Sequence, residues 1–182
     1  CDIIRNLDAH SRAALALVFM RAGALASPID LRSEEKHALE LMGGTLSGVR
    51  EALNAMDGSL VLQVVTDGQH QWKFKHPTIR DAFASLIADD RELLDIYLAG
   101  TPLETLFYEV TCGASDIQGA KVSVPADRYE KLIRRMKTLS LNDWKTRDQV
   151  HRFLSYRCDK QMLADYIRLN PKFVDSLRVG SY

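Results

Sequence analysis

The chain has 182 residues, of which 46% are hydrophobic and 26% are charged, which is ordinary for one large or two small globular domains. Lysine and arginine (24) balance aspartate and glutamate (24), so no overall field draws the chain to nucleic acid or to an anionic membrane surface. No apolar run reaches the roughly 20 residues that span a bilayer, so no membrane partner is expected. Cys1, Cys112 and Cys158 indicate neither a disulfide framework nor a zinc site, so we expect a cytoplasmic protein.

Three short helices are predicted in the first third of the chain. Asp8 can cap a helix over residues 9–22, which has a broad apolar face. An extended piece at residues 29–31 precedes Ser33, which is predicted to cap a second helix. A third helix is predicted to begin at Thr45, because apolar residues recur after it at steps of three and four.

A β-hairpin is predicted next. The apolar pattern changes to a period of two over residues 60–66 and 69–75, and Asp67-Gly68 between them is typical of a two-residue type I′ turn. Three helices followed by one two-stranded wing is the element order of a winged helix. The sequence therefore predicts a winged-helix domain over residues 5–90.

The remainder of the chain is predicted to be helical. Residues 91–120 are interpreted as a helical extension and linker, and 111–125 is the best linker candidate because it holds two glycines and few large apolar residues. Residues 121–182 are predicted to form a C-terminal helical domain, with a capping-box pattern at 146–149 and a helix stop at Asn170-Pro171. The predicted fold class is mainly α, a winged helix followed by a helical domain.

One histidine stands between the last predicted strand and the next helix. Pro77 suits the first helical position, so His76 falls at or beside the cap of a helix whose N-terminus is partly positive. An imidazole donor beside exposed backbone amides is suited to contact a phosphate. The same residues leave an alternative, in which His76 caps the helix, packs on Trp72 and only steadies the corner.

Residues 72–83 resemble the winged-helix end of the STAND and NB-ARC class of signal-transduction NTPases. In that class an aromatic residue precedes a histidine that opens a helix and touches the β-phosphate of bound ADP. The resemblance implies this role for His76, with Phe74 at the aromatic position and a polar pair at 80–81. Pro77 stands where plant and animal members carry an acidic residue, and His-Pro followed by Arg-Asp is similar to bacterial members, which often serve in antiphage defence.

The resemblance covers residues 5–110 and implies a regulatory piece of a larger NTPase. ADP would tether the winged helix, through His76, to the nucleotide-binding domain of the same parent protein, and exchange for ATP would free the parent to oligomerise. None of the ten glycines belongs to a G-x-x-x-x-G-K-[ST] loop, so this chain alone is not expected to be an enzyme. Because the chain lacks an initiating Met, we expect that it is excised from that parent.

No catalytic or metal-binding residue is predicted elsewhere. The apolar run before Asp89-Asp90 looks like a magnesium-binding strand, but it keeps helical phase with Ile79 and is interpreted as a helix end. Cys112 has no neighbouring base in sequence. Four further histidines lack metal-ligand spacing with Cys, Asp or Glu: His10, His37, His70 and His151.

Two other functions stay open, a winged-helix DNA-binding regulator and a helical protein-protein adaptor. Residues 1–90 carry 9 basic and 12 acidic side chains, and the candidate recognition helix offers only Arg50, which Glu51 cancels, so charge argues against DNA. Residues 121–160 instead carry 11 basic and 5 acidic side chains, on a face that includes 131, 134 and 135. That face fits either an acidic partner or a solvated helix surface.

Overall fold

The described part of the chain, residues 2–113 and 121–174 of a computed structural model, is mainly helical, as predicted. It belongs to two units, Cys1–Thr105 and Leu106–Tyr182. Cys1, the middle of the predicted linker (114–120) and the end of the predicted C-terminal domain (175–182) lie outside the described residues. None of the described helices is long and apolar enough to cross a lipid bilayer.

Unit 1 combines helices with a three-stranded antiparallel sheet of order β1-β3-β2. In this sheet β3 is central, with Leu25 opposite Trp72 on one side and Val64 opposite Gln71 on the other. Its elements are α1 (Asp2–Arg5), α2 (Ala9–Met20), β1 (Ala24–Ser27), α3 (Ser33–Leu41), α4 (Leu46–Met56), β2 (Val61–Thr66), β3 (Gln69–Phe74), α5 (Pro77–Asp89), α6 (Arg91–Gly100) and α7 (Leu103–Glu109), which ends in unit 2.

The predicted hairpin is confirmed. Asp67 (φ 51°) and Gly68 (φ 76°) both have positive φ, the combination that a type I′ turn requires. The interpretation of residues 83–90 as a helix end is also confirmed, since α5 ends at Asp89. Asp90 follows it, and its carboxylate Oδ1 accepts from Glu92 N at 2.9 Å and caps α6. A local turn and a local cap therefore fix both boundaries.

Two details of the first third differ from the sequence prediction. The strand lies at Ala24–Ser27, before the predicted extended piece, because these residues pair with β3. Ile29 and Leu31 are buried outside any strand. Ser33 is the first residue of α3 rather than its cap, since Glu35 at the third helical position accepts from Arg32 N at 2.8 Å.

The core of unit 1 is built around α2, whose residues from Ala13 to Met20 are all buried. Phe19 is fully buried, and its ring centroid lies 5.8 Å from that of Phe83 and 5.4 Å from that of Tyr97. Phe74, at the end of β3, joins this cluster at 6.4 Å from Phe19. Tilted aromatic contacts at these spacings join the sheet and α5 to α2.

Unit 2 holds a two-stranded parallel sheet and helices. Val110 of β4 pairs with Val122 of β5, so strand residues occupy both ends of the stretch interpreted as a linker. Asn170 ends the last helix, as predicted. The elements are β4 (Val110–Cys112), β5 (Val122–Val124), a 3₁₀ turn (Ala126–Arg128), α8 (Tyr129–Met136), α9 (Trp144–Tyr156) and α10 (Lys160–Leu169).

The capping box predicted at 146–149 is wrong. The cap of α9 is Asp143, whose carboxylate Oδ2 accepts from the backbone N–H of Thr146 at 3.0 Å and from its hydroxyl at 2.9 Å. Thr146 therefore occupies the third helical position. The helix begins three residues earlier than the box would require, because Asp143 satisfies the free backbone amide of Thr146 and so caps the helix there.

Candidate functional site

His76 is the N-cap of α5, as predicted, and Pro77 is its first helical residue. The backbone of His76 is extended (φ −141°, ψ 144°), so the chain turns into the helix directly after it. Pro77 needs no hydrogen-bond acceptor at this position, since the first amides of a helix have no partner within it. The side chain of His76 is exposed at this corner.

The two ring nitrogens of His76 have different environments. Nδ1 accepts from Thr78 N at 3.2 Å, and the Thr78 hydroxyl lies 2.8 Å from the same nitrogen. With Nδ1 accepting, the neutral ring carries its proton on Nε2. The described residues supply no hydrogen-bond acceptor for Nε2. His76 is therefore a cap that uses one ring nitrogen and leaves the other for a further partner.

This arrangement bears on the two interpretations of His76. Capping uses Nδ1, whereas a phosphate contact would use Nε2–H, so one rotamer can serve both. The neighbouring Trp72 is buried, with 6% of its surface exposed, while His76 is exposed. The ring is thus accessible to an external group.

The neighbours of His76 are held by unit 1 itself. Phe74 anchors the preceding strand in the aromatic core, with its ring 6.5 Å from that of Phe83. Lys75 donates from Nζ to the carbonyl oxygen of Gly58. The guanidinium of Arg80 lies 5.9 Å from the ring centroid of Phe19, so its charge is directed along the core side of α5. These contacts hold the chain on both sides of the exposed His76.

The face expected of a DNA-binding winged helix has few available cations. On α4, Arg50 is exposed next to Glu51, which lies 3.5 Å from the hydroxyl of Ser47. In the hairpin, Lys73 donates from Nζ to Thr66 Oγ1 at 3.2 Å, and Lys75 is engaged by the Gly58 carbonyl oxygen. A hydroxyl and a carbonyl oxygen leave the lysine charges uncompensated, so the argument against DNA rests on the acidic excess of residues 1–90, which carry 9 basic and 12 acidic side chains.

The basic face predicted in unit 2 is partly compensated. Arg134 on α8 donates from Nη2 to Glu130 Oε1 at 2.6 Å, with 74% of the arginine side chain exposed. Arg135 and Lys131 also take part in interactions within the chain. Among the described residues no group of three or more His, Cys, Asp or Glu side chains could hold a metal ion.

Two features of unit 2 were not singled out from the sequence. Cys112 and Cys158 lie side by side, although 45 residues separate them in the chain. Tyr108 (63% exposed) and Tyr156 (74% exposed) line a groove between α7 and α9 together with Arg152. The spacing of Arg152 and Tyr156 at i and i+4 places them on one helix face, but no local signal indicates the groove or joins the two cysteines.

Comparison with protein families, curated proteins and solved structures found no match to the chain.

Proposed function

We propose that the chain is the winged-helix and helical regulatory part of a larger STAND-like NTPase, in which it couples the ADP or ATP state to sensing and oligomerisation. The observation that carries this proposal is the exposed ring of His76 at the N-terminus of α5, which caps the helix through Nδ1 and so leaves Nε2 for another partner. The chain is then not an enzyme by itself. The nucleotide is shared with a nucleotide-binding domain of the parent protein.

The winged-helix part of the proposal is supported by element order. From α2 to β3 the elements of unit 1 follow the order helix, strand, helix, helix, strand, strand. The first strand, β1, pairs with β3. In a winged helix the hairpin forms the wing and the first strand completes a small sheet against the helices. The sheet order β1-β3-β2 fits that connectivity.

The switch follows from what His76 can recognise. A neutral imidazole donates one hydrogen bond to a β-phosphate oxygen, while the first amides of α5 add a favourable dipole. A nucleotide shifts the equilibrium between two states only by its differential affinity for them. In this proposal ADP is contacted by His76 in the closed state, and exchange for ATP removes that contact and frees the parent to assemble.

The decisive experiment separates capping from phosphate binding in the parent protein. His76→Asp keeps a good helix cap but places a negative charge where the phosphate would lie, whereas His76→Ala removes both functions. Retention of ADP should fall about tenfold in both variants, as expected for loss of a hydrogen bond to a charged group. Self-assembly without added ATP should increase in both.

Thermal unfolding of the same variants is the control. His76→Asp should keep the stability of the parent, and His76→Ala should lose about 1 kcal/mol with the cap. Unchanged ADP retention and assembly in His76→Asp would leave His76 as a structural cap and overturn the proposal.

A further inference from the structure

Cys112 and Cys158 are held together by backbone hydrogen bonds in unit 2. Cys112 N donates to Arg157 O at 2.8 Å, and Asp159 N donates to Cys112 O at 3.0 Å, which forms a parallel β-bridge between the two cysteines. Neighbouring strands lie about 4.7–4.9 Å apart. Disulfides join residues whose Cα atoms are about 4.4–6.8 Å apart, so the backbone already has the spacing of a crosslink.

The two cysteines are free thiols with different exposure. Cys112 is fully buried at the end of β4, whereas Cys158 is partly exposed before the cap of α10. A hydrogen bond with the Cys158 side chain, together with burial, raises the pKa of the Cys112 thiol well above its usual range. Cys112 therefore stays protonated against its neighbour, and Cys158 is the sulfur that a small oxidant can reach.

The surroundings favour a fixed pair rather than two mobile thiols. Asp159, next to Cys158, caps α10 by accepting from Met162 N at 2.8 Å. Its other carboxylate oxygen accepts from the buried Tyr129 hydroxyl at 2.8 Å. A Cβ placed on Gly113 would lie 2.5 Å from that same oxygen, so the chain after Cys112 packs closely against Asp159. The cysteine pair is thus held on both sides.

We propose that Cys158 and Cys112 form a redox modification site, in which a peroxide oxidises Cys158 and Cys112 resolves the product to an intrachain disulfide. In the first step the Cys158 thiol releases its proton, and the thiolate sulfur attacks one oxygen of hydrogen peroxide. The O–O bond breaks, the leaving hydroxide takes up the released proton, and a sulfenic acid and water form. In the second step the Cys112 sulfur attacks the Cys158 sulfur, the S–O bond breaks, and a second water leaves. The two thiols lose two electrons and two protons, and the peroxide is reduced to water.

The crosslink would close a chain loop that contains β5, α8 and α9. Its main effect would be to restrict the unfolded state, since a disulfide removes loop-closure entropy. The native geometry needs little change, because the β-bridge already holds the two backbones. Oxidation is therefore expected to stabilise unit 2, and a reductant is expected to reverse the effect.

The test uses the whole chain, treated with hydrogen peroxide and mapped by mass spectrometry without reduction. We expect a peptide pair linked through Cys112 and Cys158, a fall from three titratable thiols to one, and a higher midpoint of urea denaturation. Dithiothreitol should restore all three properties. No linked pair, or a link from either cysteine to Cys1 in its place, would overturn the proposal.

Single substitutions assign the two roles. Cys112→Ser should accumulate a sulfenic acid at Cys158, detected as a dimedone adduct that the wild-type chain shows only transiently. Cys158→Ser should leave the buried Cys112 unreacted, and Cys1→Ser should form the crosslink as the wild type does. An equal yield of dimedone adduct at Cys112 and Cys158 in the wild-type chain would contradict the assignment, whether or not the variants fold.

Discussion

Three buried side chains, Glu35 in unit 1 and Tyr129 and Cys112 in unit 2, are polar groups of opposite kinds. Unit 1 buries a charge: the Glu35 side chain is fully buried, and both its carboxylate oxygens are bound by Arg21, with a further bond from Arg32 N. Unit 2 buries protonated groups, the Tyr129 hydroxyl that donates to Asp159 and the Cys112 thiol. Glu35 therefore depends on a partner cation, and Tyr129 and Cys112 depend on keeping their protons.

The same contrast predicts how each unit responds to its surroundings. A buried carboxylate becomes destabilising when its partner cation is removed, because the remaining charge is uncompensated. A buried phenol or thiol becomes destabilising when pH rises, because its ionised form is poorly solvated inside the protein. Removal of the cation should therefore be most damaging at Glu35, whereas alkali should act at Tyr129 and Cys112.

The largest expected effect is that of Arg21→Ala. It leaves Glu35 buried without its cation, which costs about 3 kcal/mol of the free energy of unfolding. Urea denaturation of the chain measures this loss. Arg32→Ala is the matched control, since the pair between Arg32 Nη1 and Glu104 Oε1 at 2.8 Å is about half exposed on both sides and is expected to contribute less than about 1 kcal/mol. Similar losses in the two variants would remove the distinction between the buried and the exposed pair.

Tyr129→Phe should lower the free energy of unfolding by an intermediate amount, and the pH dependence of stability above pH 10 should identify the loss of the phenol. Burial and then the hydrogen bond to Asp159 raise the pKa of Tyr129, so the unfolded chain releases this proton at about pH 10 while the folded chain retains it. Stability from this group is complete below pH 10 and is lost as pH rises above it. The variant should lose about 1.5 kcal/mol at pH 7 and show a weaker decline above pH 10.

Tyr166→Phe is the control for the hydroxyl. Burial also raises the pKa of Tyr166, but the described residues supply no hydrogen-bond partner for its hydroxyl. This variant should therefore keep its stability at pH 7 while also declining less above pH 10. A loss at pH 7 equal to that of Tyr129→Phe would show that the hydrogen bond to Asp159 is not the cause.

Much of unit 1 could be predicted from sequence because its signals are local. Thr45 caps α4, Asp67-Gly68 forms the hairpin turn, and His76-Pro77 begins α5, each within a few residues of the element that it defines. The position of the candidate site was predictable for the same reason. The role of Thr78 in fixing the ring nitrogen was not, since rotamer and tautomer depend on three-dimensional geometry.

The features that were missed depend on distant partners. Residues 24–27 hold no β-branched residue, and they form a strand only because β3, far along the chain, pairs with them. The bridge between Cys112 and Cys158 likewise joins β4 to the end of α9. At α9 two overlapping cap patterns competed, and the one that begins at Asp143 prevailed. Tertiary pairing decided the first two cases, and two local hydrogen bonds from Thr146 to Asp143 decided the third.

The smallest expected effect concerns a type of helix N-cap that occurs in both units. Asp8 caps α2, and Asp143 caps α9, through the same pair of bonds from a backbone N–H and a hydroxyl three residues on. Hydrogen bonds from the Ser11 hydroxyl and then its backbone lower the pKa of Asp8, so the stability that its carboxylate contributes is present above about pH 4 and lost as pH falls. Asp8→Ala should cost about 0.5 to 1 kcal/mol at pH 7 by urea denaturation, because the site is exposed.

Asp8→Asn separates the charge of this cap from its geometry. An asparagine oxygen accepts the same backbone bond, so the variant should keep most of the stability at pH 7 and lose the acid dependence that Asp8 contributes. Asp143→Asn should behave in the same direction in unit 2, because Thr146 supplies the donors there and lowers the pKa of Asp143. If Asp8→Asn were as unstable as Asp8→Ala at pH 7, the carboxylate charge rather than the cap geometry would stabilise the start of α2.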